Sequence, residues 1–126
     1  MSAGGDSRRQ EIYRVFGLLS ALDEALRHVE VQLQELRLEE SKTLIVDSAE
    51  AVASMMNFIL PLVNQDKHRI LLELTEALCE EFVVLLEAYA ENDLIAVQTK
   101  LTSQLVPAYS SWKQELIIVL RTSTLS

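Results

Sequence analysis

The apolar residues of this 126-residue chain follow the repeat of an α-helix on four stripes that are out of phase with one another. In the first stripe, steps of three and four residues alternate, which places all of its members on one helical face. Ser7 and Gln10 have the spacing of a capping box. A long first helix is therefore predicted from about Ser7 to Leu38. Its stripe consists of Ile12, Val15, Leu19, Leu22, Leu26, Val29, Leu33 and Leu36.

The second stripe shows that the first helix cannot simply continue. If it did, its apolar face would run on through Glu40, Thr43 and Asp47, which are polar. The chain must therefore turn before Ile45, and a turn is predicted at residues 38–41. The second stripe consists of Ile45, Ala49, Val52, Met56, Ile59 and Val63.

Two further helices are predicted in the C-terminal half. Asp66 is a candidate N-cap for the third, and Asn92 and Asp93 supply a helix stop followed by a new cap. Pro107 lies inside the fourth helix and predicts a kink without a chain break, because the apolar phase continues across it. The third stripe consists of Leu71, Leu74, Leu78, Phe82, Leu85 and Tyr89, and the fourth of Leu94, Val97, Leu101, Leu105, Ala108, Trp112, Leu116 and Val119.

Short connections between long amphipathic helices make neighbouring helices antiparallel. The predicted fold is therefore all-α, an up-and-down antiparallel four-helix bundle. We expect one bundle domain over residues 7–121, preceded by a disordered tail at 1–6 and followed by a frayed tail at 122–126.

The composition disfavours several classes of partner. Nineteen acidic and eleven basic residues give a net charge of −8, which repels nucleic acid and anionic lipid surfaces. The longest uncharged run, residues 51–65, is shorter than the ~20 residues of a membrane span. A single cysteine, Cys79, is compatible with a reducing compartment. We therefore expect a cytoplasmic protein that binds neither nucleic acid nor membranes.

Residue patterns typical of catalysis or metal binding are missing from the sequence. A di-iron bundle would need Glu-x-x-His pairs, but Ala25 precedes His28 and Gln65 precedes His68 at that spacing. No glycine-rich loop is present to bind phosphate or an oxyanion. Asp23 lies four residues before Arg27, a spacing that predicts a surface ion pair between them. The chain is thus predicted to be non-enzymatic, with no metal, no cofactor and no small-molecule substrate.

Apolar residues beyond those needed for the stripes concentrate where the second helix ends, the third begins and the fourth ends. In an up-and-down bundle these segments lie at one end, and a large exposed apolar patch there is typical of a partner site. Burial within the monomer and homodimerisation are the alternatives. The residues predicted to contact a partner are Met55, Phe58, Leu62, Leu72 and Ile118.

The C-terminal third carries a resemblance to known proteins. Its stretch Tyr89-Ala-Glu-Asn-Asp-Leu-Ile-Ala-Val, followed by Leu101 and then Trp112-Lys113, resembles the last hairpin of an uncharacterised family of small bacterial helical bundles and of flagellar export chaperones. The chaperone resemblance implies a cytoplasmic protein that covers a disordered helical segment of an export substrate. The tyrosine-bearing arm and Ser-Pro helix entry of that family are missing here, so flagellin binding in particular is not implied.

Together these observations predict a protein-interaction module of adaptor or chaperone type, which binds a partner helix in a groove at its apolar end. The alternative is a structural bundle that forms a homodimer through the same surface and has no separate ligand. An enzyme or a small-ligand binder with a cavity between the helices ranks third, since no polar side chains converge on the stripes.

Overall fold

A computed structural model describes residues 3–64 and 66–125 of the chain, with side chains for 9–64 and 66–122. It confirms the predicted all-α four-helix bundle, and the described residues contain no strand. Helix α1 spans Ala3–Gln34, α2 spans Leu38–Ile59 and α3 spans Arg69–Ala90. Helix α4 has three parts, which are an α-helical segment Leu94–Lys100, a π-helical turn Leu101–Leu105 and an α-helical segment Val106–Leu125.

Consecutive helices pack side by side, and α4 returns to lie against α1. Hydrogen bonds between α2 and α3 show that these two helices are antiparallel. The Tyr89 hydroxyl near the end of α3 donates to Ser41 Oγ near the start of α2, at 2.8 Å. Farther along, the hydroxyl of Thr75 lies 3.7 Å from Met56 Sδ. The order of the helices and their directions therefore match an up-and-down bundle.

The predicted stripes form the core. Nearly all of their large members are buried, while Val63, Leu74 and Leu94 are only partly covered and Leu36 is exposed. Burying large aliphatic and aromatic side chains on all four helices supplies the main favourable term in folding. The largest side chains with almost no exposed surface are Trp112, Leu19, Leu33, Ile45, Met55, Ile59, Leu71, Leu78, Leu85, Leu101, Leu105 and Leu116.

The first turn lies earlier than predicted. Helix α1 ends at Gln34, and α2 already begins at Leu38, so the predicted turn at residues 38–41 is wrong. Leu36 has a φ of 63° and closes α1 in a Schellman motif. Its amide donates to the Leu33 carbonyl, and the amide of Arg37 donates to that of Gln32. Leu36 is 69% exposed and does not join the core.

Leu36→Gly is expected to raise the free energy of unfolding by about 0.5 to 1 kcal/mol, because glycine adopts the left-handed conformation without steric cost. The exposed leucine side chain contributes little packing that the substitution would remove. Urea unfolding followed by circular dichroism measures the change. As a control, Leu44→Gly in the middle of α2 should destabilise the protein, and a loss of stability in Leu36→Gly would contradict the prediction.

The second turn is organised by Asn64, not by Asp66. Its side-chain Oδ1 accepts from the amides of Asp66 and Lys67, at 3.0 and 3.2 Å. A short 3-10 turn, Leu60–Leu62, precedes it and contains Pro61. Helix α3 begins only at Arg69, with no side-chain cap, so the prediction of Asp66 as its N-cap is wrong. The Asn64 side chain thus closes the turn before α3 and does not cap the helix itself.

The third turn follows the sequence prediction. Asn92 has a φ of 55°, and the Asp93 side chain accepts from the Ala96 amide at 3.1 Å.

Farther along α4, the chain continues through Pro107 as predicted. The helix accommodates Pro107 through the π-helical turn just before it, in which the Val106 amide donates to the Leu101 carbonyl. Proline has no amide hydrogen, and a π turn relieves the crowding that its ring causes in an α-helix.

Both ends of the chain are helical farther out than predicted. Helix α1 begins at Ala3, so the helix start predicted near Ser7 is wrong and Ser7 lies inside the helix. Helix α4 continues to Leu125 instead of ending near residue 121. Residues 1, 2 and 126, which belong to the two predicted tails, lie outside the described residues.

Candidate protein-binding surface

Three parts of the chain meet at one end of the bundle. We call the apolar end the surface formed by residues 9–16 of α1, residues 58–64 and 66–73 around the second turn, and residues 116–122 of α4. Thr75, just beyond these residues, shows which residues of α2, α3 and α4 lie at the same height along the bundle axis. Its hydroxyl lies beside Met56 of α2 and accepts from Trp112 Nε1 of α4 at 3.1 Å. Residues that follow Met56, precede Thr75 and follow Trp112 therefore lie at the same end.

Large apolar side chains are exposed on every one of these segments. Tyr13 projects from α1, Leu60 and Ile70 flank the second turn, and Ile118 lies on α4. Several others are partly covered by the core and partly open to solvent, so the apolar surface is broader than four isolated side chains. These partly buried residues are Phe16, Phe58, Leu62, Val63, Leu72 and Ile117.

The five predicted contact residues differ in exposure. Ile118 is 56% exposed and belongs to the surface. Phe58, Leu62 and Leu72 are half-buried. Met55 is only 1% exposed, because it packs in the core beneath the surface. Its prediction as a contact residue is therefore wrong. The inward face of α2 is wide enough to bury Met55 together with its neighbour on the stripe, Met56.

Leu60 and Ile70 were missed as individual contact residues, although a sequence signal for them exists. Each is the immediate neighbour of a buried stripe residue, Ile59 and Leu71 respectively. Adjacent residues on a helix point about 100° apart, so when the stripe residue faces the core its neighbour lies at the edge of the buried face or outside it. The stripe therefore marks Leu60 and Ile70 as candidates for the surface, whereas a wider face buries both members of a pair such as Met55 and Met56.

The opposite end of the bundle also exposes apolar side chains, namely Val31, Leu36 and Ile95. Ile95 is 75% exposed, about as much as Tyr13 of the apolar end, which is 74% exposed. These side chains stand among carboxylates, including Glu35 and Glu91, and no half-buried phenylalanine accompanies them. Exposure of single residues therefore does not separate the two ends, but the breadth of the apolar surface does.

A shallow groove of about 120 Å³ runs between α1 and α2 and has almost no polar lining. Ala21, Ala25 and Ala51 line it together with Leu18, Leu22 and Leu44, and Asp47 and Ser48 expose little polar surface to it. Phe58 and Leu62 continue the same face of α2 toward the apolar end, at seven and eleven residues from Ala51. The groove thus extends the apolar end along the α1–α2 face.

A polar cluster joins α1 to α4 on the adjacent face. Asp23 accepts from the Tyr109 hydroxyl at 2.7 Å and pairs with Lys113 Nζ at 2.6 Å. The predicted ion pair with Arg27 is therefore wrong, although the Arg27 charge still acts on Asp23. Burial raises the pKa of Asp23, but the bonds from Lys113 and Tyr109 outweigh it, and the pKa lies below the ordinary 3.8. Burial and the neighbouring carboxylate both raise the pKa of Tyr109.

Asp23→Asn is expected to lower the free energy of unfolding by about 1 kcal/mol near neutral pH. Because folding depresses this pKa, the carboxylate stabilises the fold above its unfolded-state pKa, and the contribution is lost as pH falls through the folded-state value. The stability difference between wild type and Asp23→Asn should therefore shrink below about pH 4. Urea unfolding of both proteins across the acid range measures it. The exposed Asp47→Asn is the control, and a gap that widens in acid would contradict the prediction.

Groups suited to catalysis or metal binding do not converge at this surface. Among residues 9–64 and 66–122, no three His, Cys, Asp or Glu side chains are placed to hold a metal ion. Burial and the nearby Glu76 raise the pKa of the Cys79 thiol, which keeps it protonated and weakly nucleophilic. The α1–α4 grooves, of about 300 and 250 Å³, contain Glu30, Asp23 and Lys113 in their walls. Asp23 and Lys113 already form an ion pair with each other.

One helical segment, Leu38–Leu62, is long and apolar enough to cross a membrane by length and composition, with a mean hydropathy of 1.3. Core helices of soluble proteins pass the same test. In this fold the segment buries Ile45, Val52 and Ile59 against the other helices, and its outer face carries charged residues such as Asp47 and Glu50.

The chain matches, over residues 10–115, a family model described as a domain of unknown function, DUF8042. The match includes parts of all four helices and most of the apolar end. No curated protein and no solved structure matches the chain.

Proposed function

We propose that this chain, which belongs to the DUF8042 family, is a non-enzymatic protein-interaction module of adaptor or chaperone type. The supporting observation is the apolar end, where α1, the second turn and α4 each expose a large apolar side chain. Removing such a surface from water favours association, and its flanking half-buried residues offer shallow depressions for a partner's side chains. An amphipathic helix laid across the end, with its apolar face inward, fits this surface.

The chaperone role is the finer part of the proposal. It is supported by the resemblance of the last hairpin, around Asn92 and Trp112, to flagellar export chaperones. In this role the protein covers an apolar helical segment of its partner until that segment assembles elsewhere. The proposal takes the protein to be bacterial and cytoplasmic.

Ile118→Glu is expected to abolish capture of a specific partner in affinity pull-downs from the native organism, because a buried carboxylate opposes docking. Ile95→Glu is the matched control, since it places the same charge at a still more exposed isoleucine of the opposite end. Phe58→Glu should also lose the partner. Circular dichroism confirms that each variant keeps its helicity. Equal loss of the partner in Ile118→Glu and Ile95→Glu would contradict the assignment of the site.

Self-association through the same surface is the alternative function. Light scattering separates it from partner binding, because a homodimer that persists on dilution buries the apolar end against a second copy. In that case Ile118→Glu yields monomers while Ile95→Glu stays dimeric, and the proposal of a separate partner fails.

A further inference from the structure

The charges of the chain are segregated along the bundle. The described residues of the apolar end carry five basic and three acidic side chains, a net charge of +2. All other residues carry six basic and sixteen acidic side chains, a net charge of −10. The net charge of −8 is therefore the sum of a positive apolar end and a strongly negative remainder of the chain, which we call the acidic body. The basic residues of the apolar end are Arg9, Arg14, Lys67, Arg69 and Arg121, and the acidic ones are Glu11, Asp66 and Glu73.

These five cations surround the exposed apolar side chains and are themselves exposed. Arg69 is adjacent to Ile70, Arg14 is adjacent to Tyr13, and Arg121 lies one helical turn after Ile118. None of the five forms an ion pair with a described side chain, whereas Arg37 and Lys113 elsewhere in the bundle do. They are therefore available to a partner's carboxylates.

The acidic residues at the far end of the bundle do not cancel this local charge. Helix α2 has 22 residues, so the two ends of the bundle lie about 30 Å apart at ~1.5 Å per residue. At physiological ionic strength, interactions between exposed charges are screened over about 8 Å. A partner at the apolar end therefore interacts mainly with the five cations and three carboxylates of that end and with Glu76 and Glu115 just beyond it. It interacts only weakly with Glu35, Glu39 or Glu91 at the far end.

From this arrangement we propose that the partner is an amphipathic helix whose polar flanks are acidic. The inference rests on the proposed function and specifies the chemistry of the helix that binds. Its apolar stripe covers Ile70, Ile118 and the neighbouring half-buried residues, and its Glu or Asp side chains meet the surrounding arginines. Rim charges of this kind select partners and accelerate association more than they strengthen the bound state.

A helix fits these charges better than an anionic bilayer does. Glu11, Asp66 and Glu73 are interspersed with the cations, and a uniformly anionic surface would have to approach all of them at once. A basic residue near an anionic membrane contributes about 1 kcal/mol, so three carboxylates offset much of what five cations contribute. A helix can place each carboxylate opposite a cation and avoid the three acidic positions.

Selection from a displayed library of helical peptides tests the proposal. Apolar residues are fixed at i, i+3, i+4 and i+7, and the flanking positions are randomised among Glu, Gln and Lys. Peptides enriched on wild type should be rich in Glu. A synthetic selected peptide should bind at least about tenfold more tightly than its Glu-to-Lys counterpart, measured by fluorescence anisotropy.

Two charge-reversal variants connect this preference to the apolar end. Arg69→Glu/Arg121→Glu should weaken binding of the Glu-rich peptide at least about tenfold. Arg27→Glu/Lys42→Glu changes the net charge equally but alters other parts of the surface, and should leave binding within about twofold. Equal weakening by the two variants, or none by the first, would overturn the proposal.

The remaining outcomes separate the two proposals. If neutral or Lys-rich peptides are enriched and their binding is lost in Ile118→Glu but kept in Ile95→Glu, the acidic partner is wrong while the docking function holds. If no peptide is enriched and no partner is captured in pull-downs, both proposals fail. If vesicles containing phosphatidylserine bind through Arg69 and Arg121 but Glu-rich peptides do not, the apolar end is a membrane surface and the acidic helix is rejected.

Discussion

Replacing Trp112 with alanine is expected to lower the free energy of unfolding by about 4 kcal/mol, the range measured for large aromatic residues in protein cores. Trp112 has no exposed surface, and its indole is the largest fully buried side chain. It contacts the Tyr109 ring at a centroid distance of 6.0 Å and donates Nε1–H to Thr75. Removing it leaves a cavity between α3 and α4. Urea unfolding followed by circular dichroism measures the loss.

Trp112→Phe divides this effect into packing and hydrogen bonding. It keeps most of the buried ring but removes the donor to Thr75, and should cost clearly less than Trp112→Ala. Ile118→Ala is the surface control, with an expected change within about 0.5 kcal/mol. A Trp112→Ala protein that is as stable as Ile118→Ala would show that α4 is not packed against α3 as described.

Ser41→Ala is expected to lower the free energy of unfolding by about 2 kcal/mol, which is large for the loss of one hydroxyl. The Ser41 hydroxyl is fully buried, accepts from Tyr89 and donates to the Leu38 carbonyl at 2.9 Å. Alanine leaves the buried Tyr89 hydroxyl without its partner, and the desolvation of an unpaired buried group is a cost that the folded state must bear. Thermal and urea unfolding measure the change.

Ser48→Ala is the matched control on the same helix. Ser48 is also buried, but its hydroxyl donates only to the Leu44 carbonyl of its own helix, so its loss should cost less than half as much. A double-mutant cycle with Tyr89→Phe completes the test. If the Ser41→Ala/Tyr89→Phe protein is no more stable than the sum of the single losses predicts, the α2–α3 hydrogen bond does not carry the effect.

The candidate surface was only partly predictable. The sequence placed the surplus apolar residues at the end of the second helix, the start of the third and the end of the fourth, and among the five predicted contact residues the structure exposes Ile118 most. Met55 was misplaced because the width of a buried helical face depends on how closely its neighbours pack. The charge segregation follows from the sequence once the order of the helices is known, because the antiparallel order brings Arg14, Arg69 and Arg121 to one end.

The number of helices and the identity of most core residues were determined by the sequence alone. Periodicity is a local property of the chain, and a stripe such as Ile12 to Leu33 can be buried in only one helical orientation. The turn chemistry of Asn92 and Asp93 was likewise readable, because each residue acts on backbone groups within three positions of itself.

Tertiary structure decided what depends on the relative rotation and offset of whole helices. It paired Asp23 with Lys113 of α4 instead of Arg27, and it joined Ser41 to Tyr89 across two helices. It also held Leu36 in the left-handed conformation, against the local preference of leucine, because packing of α1 on α2 requires the chain to reverse there. Contacts between residues far apart in the chain leave no periodic signal, so only the folded bundle reveals them.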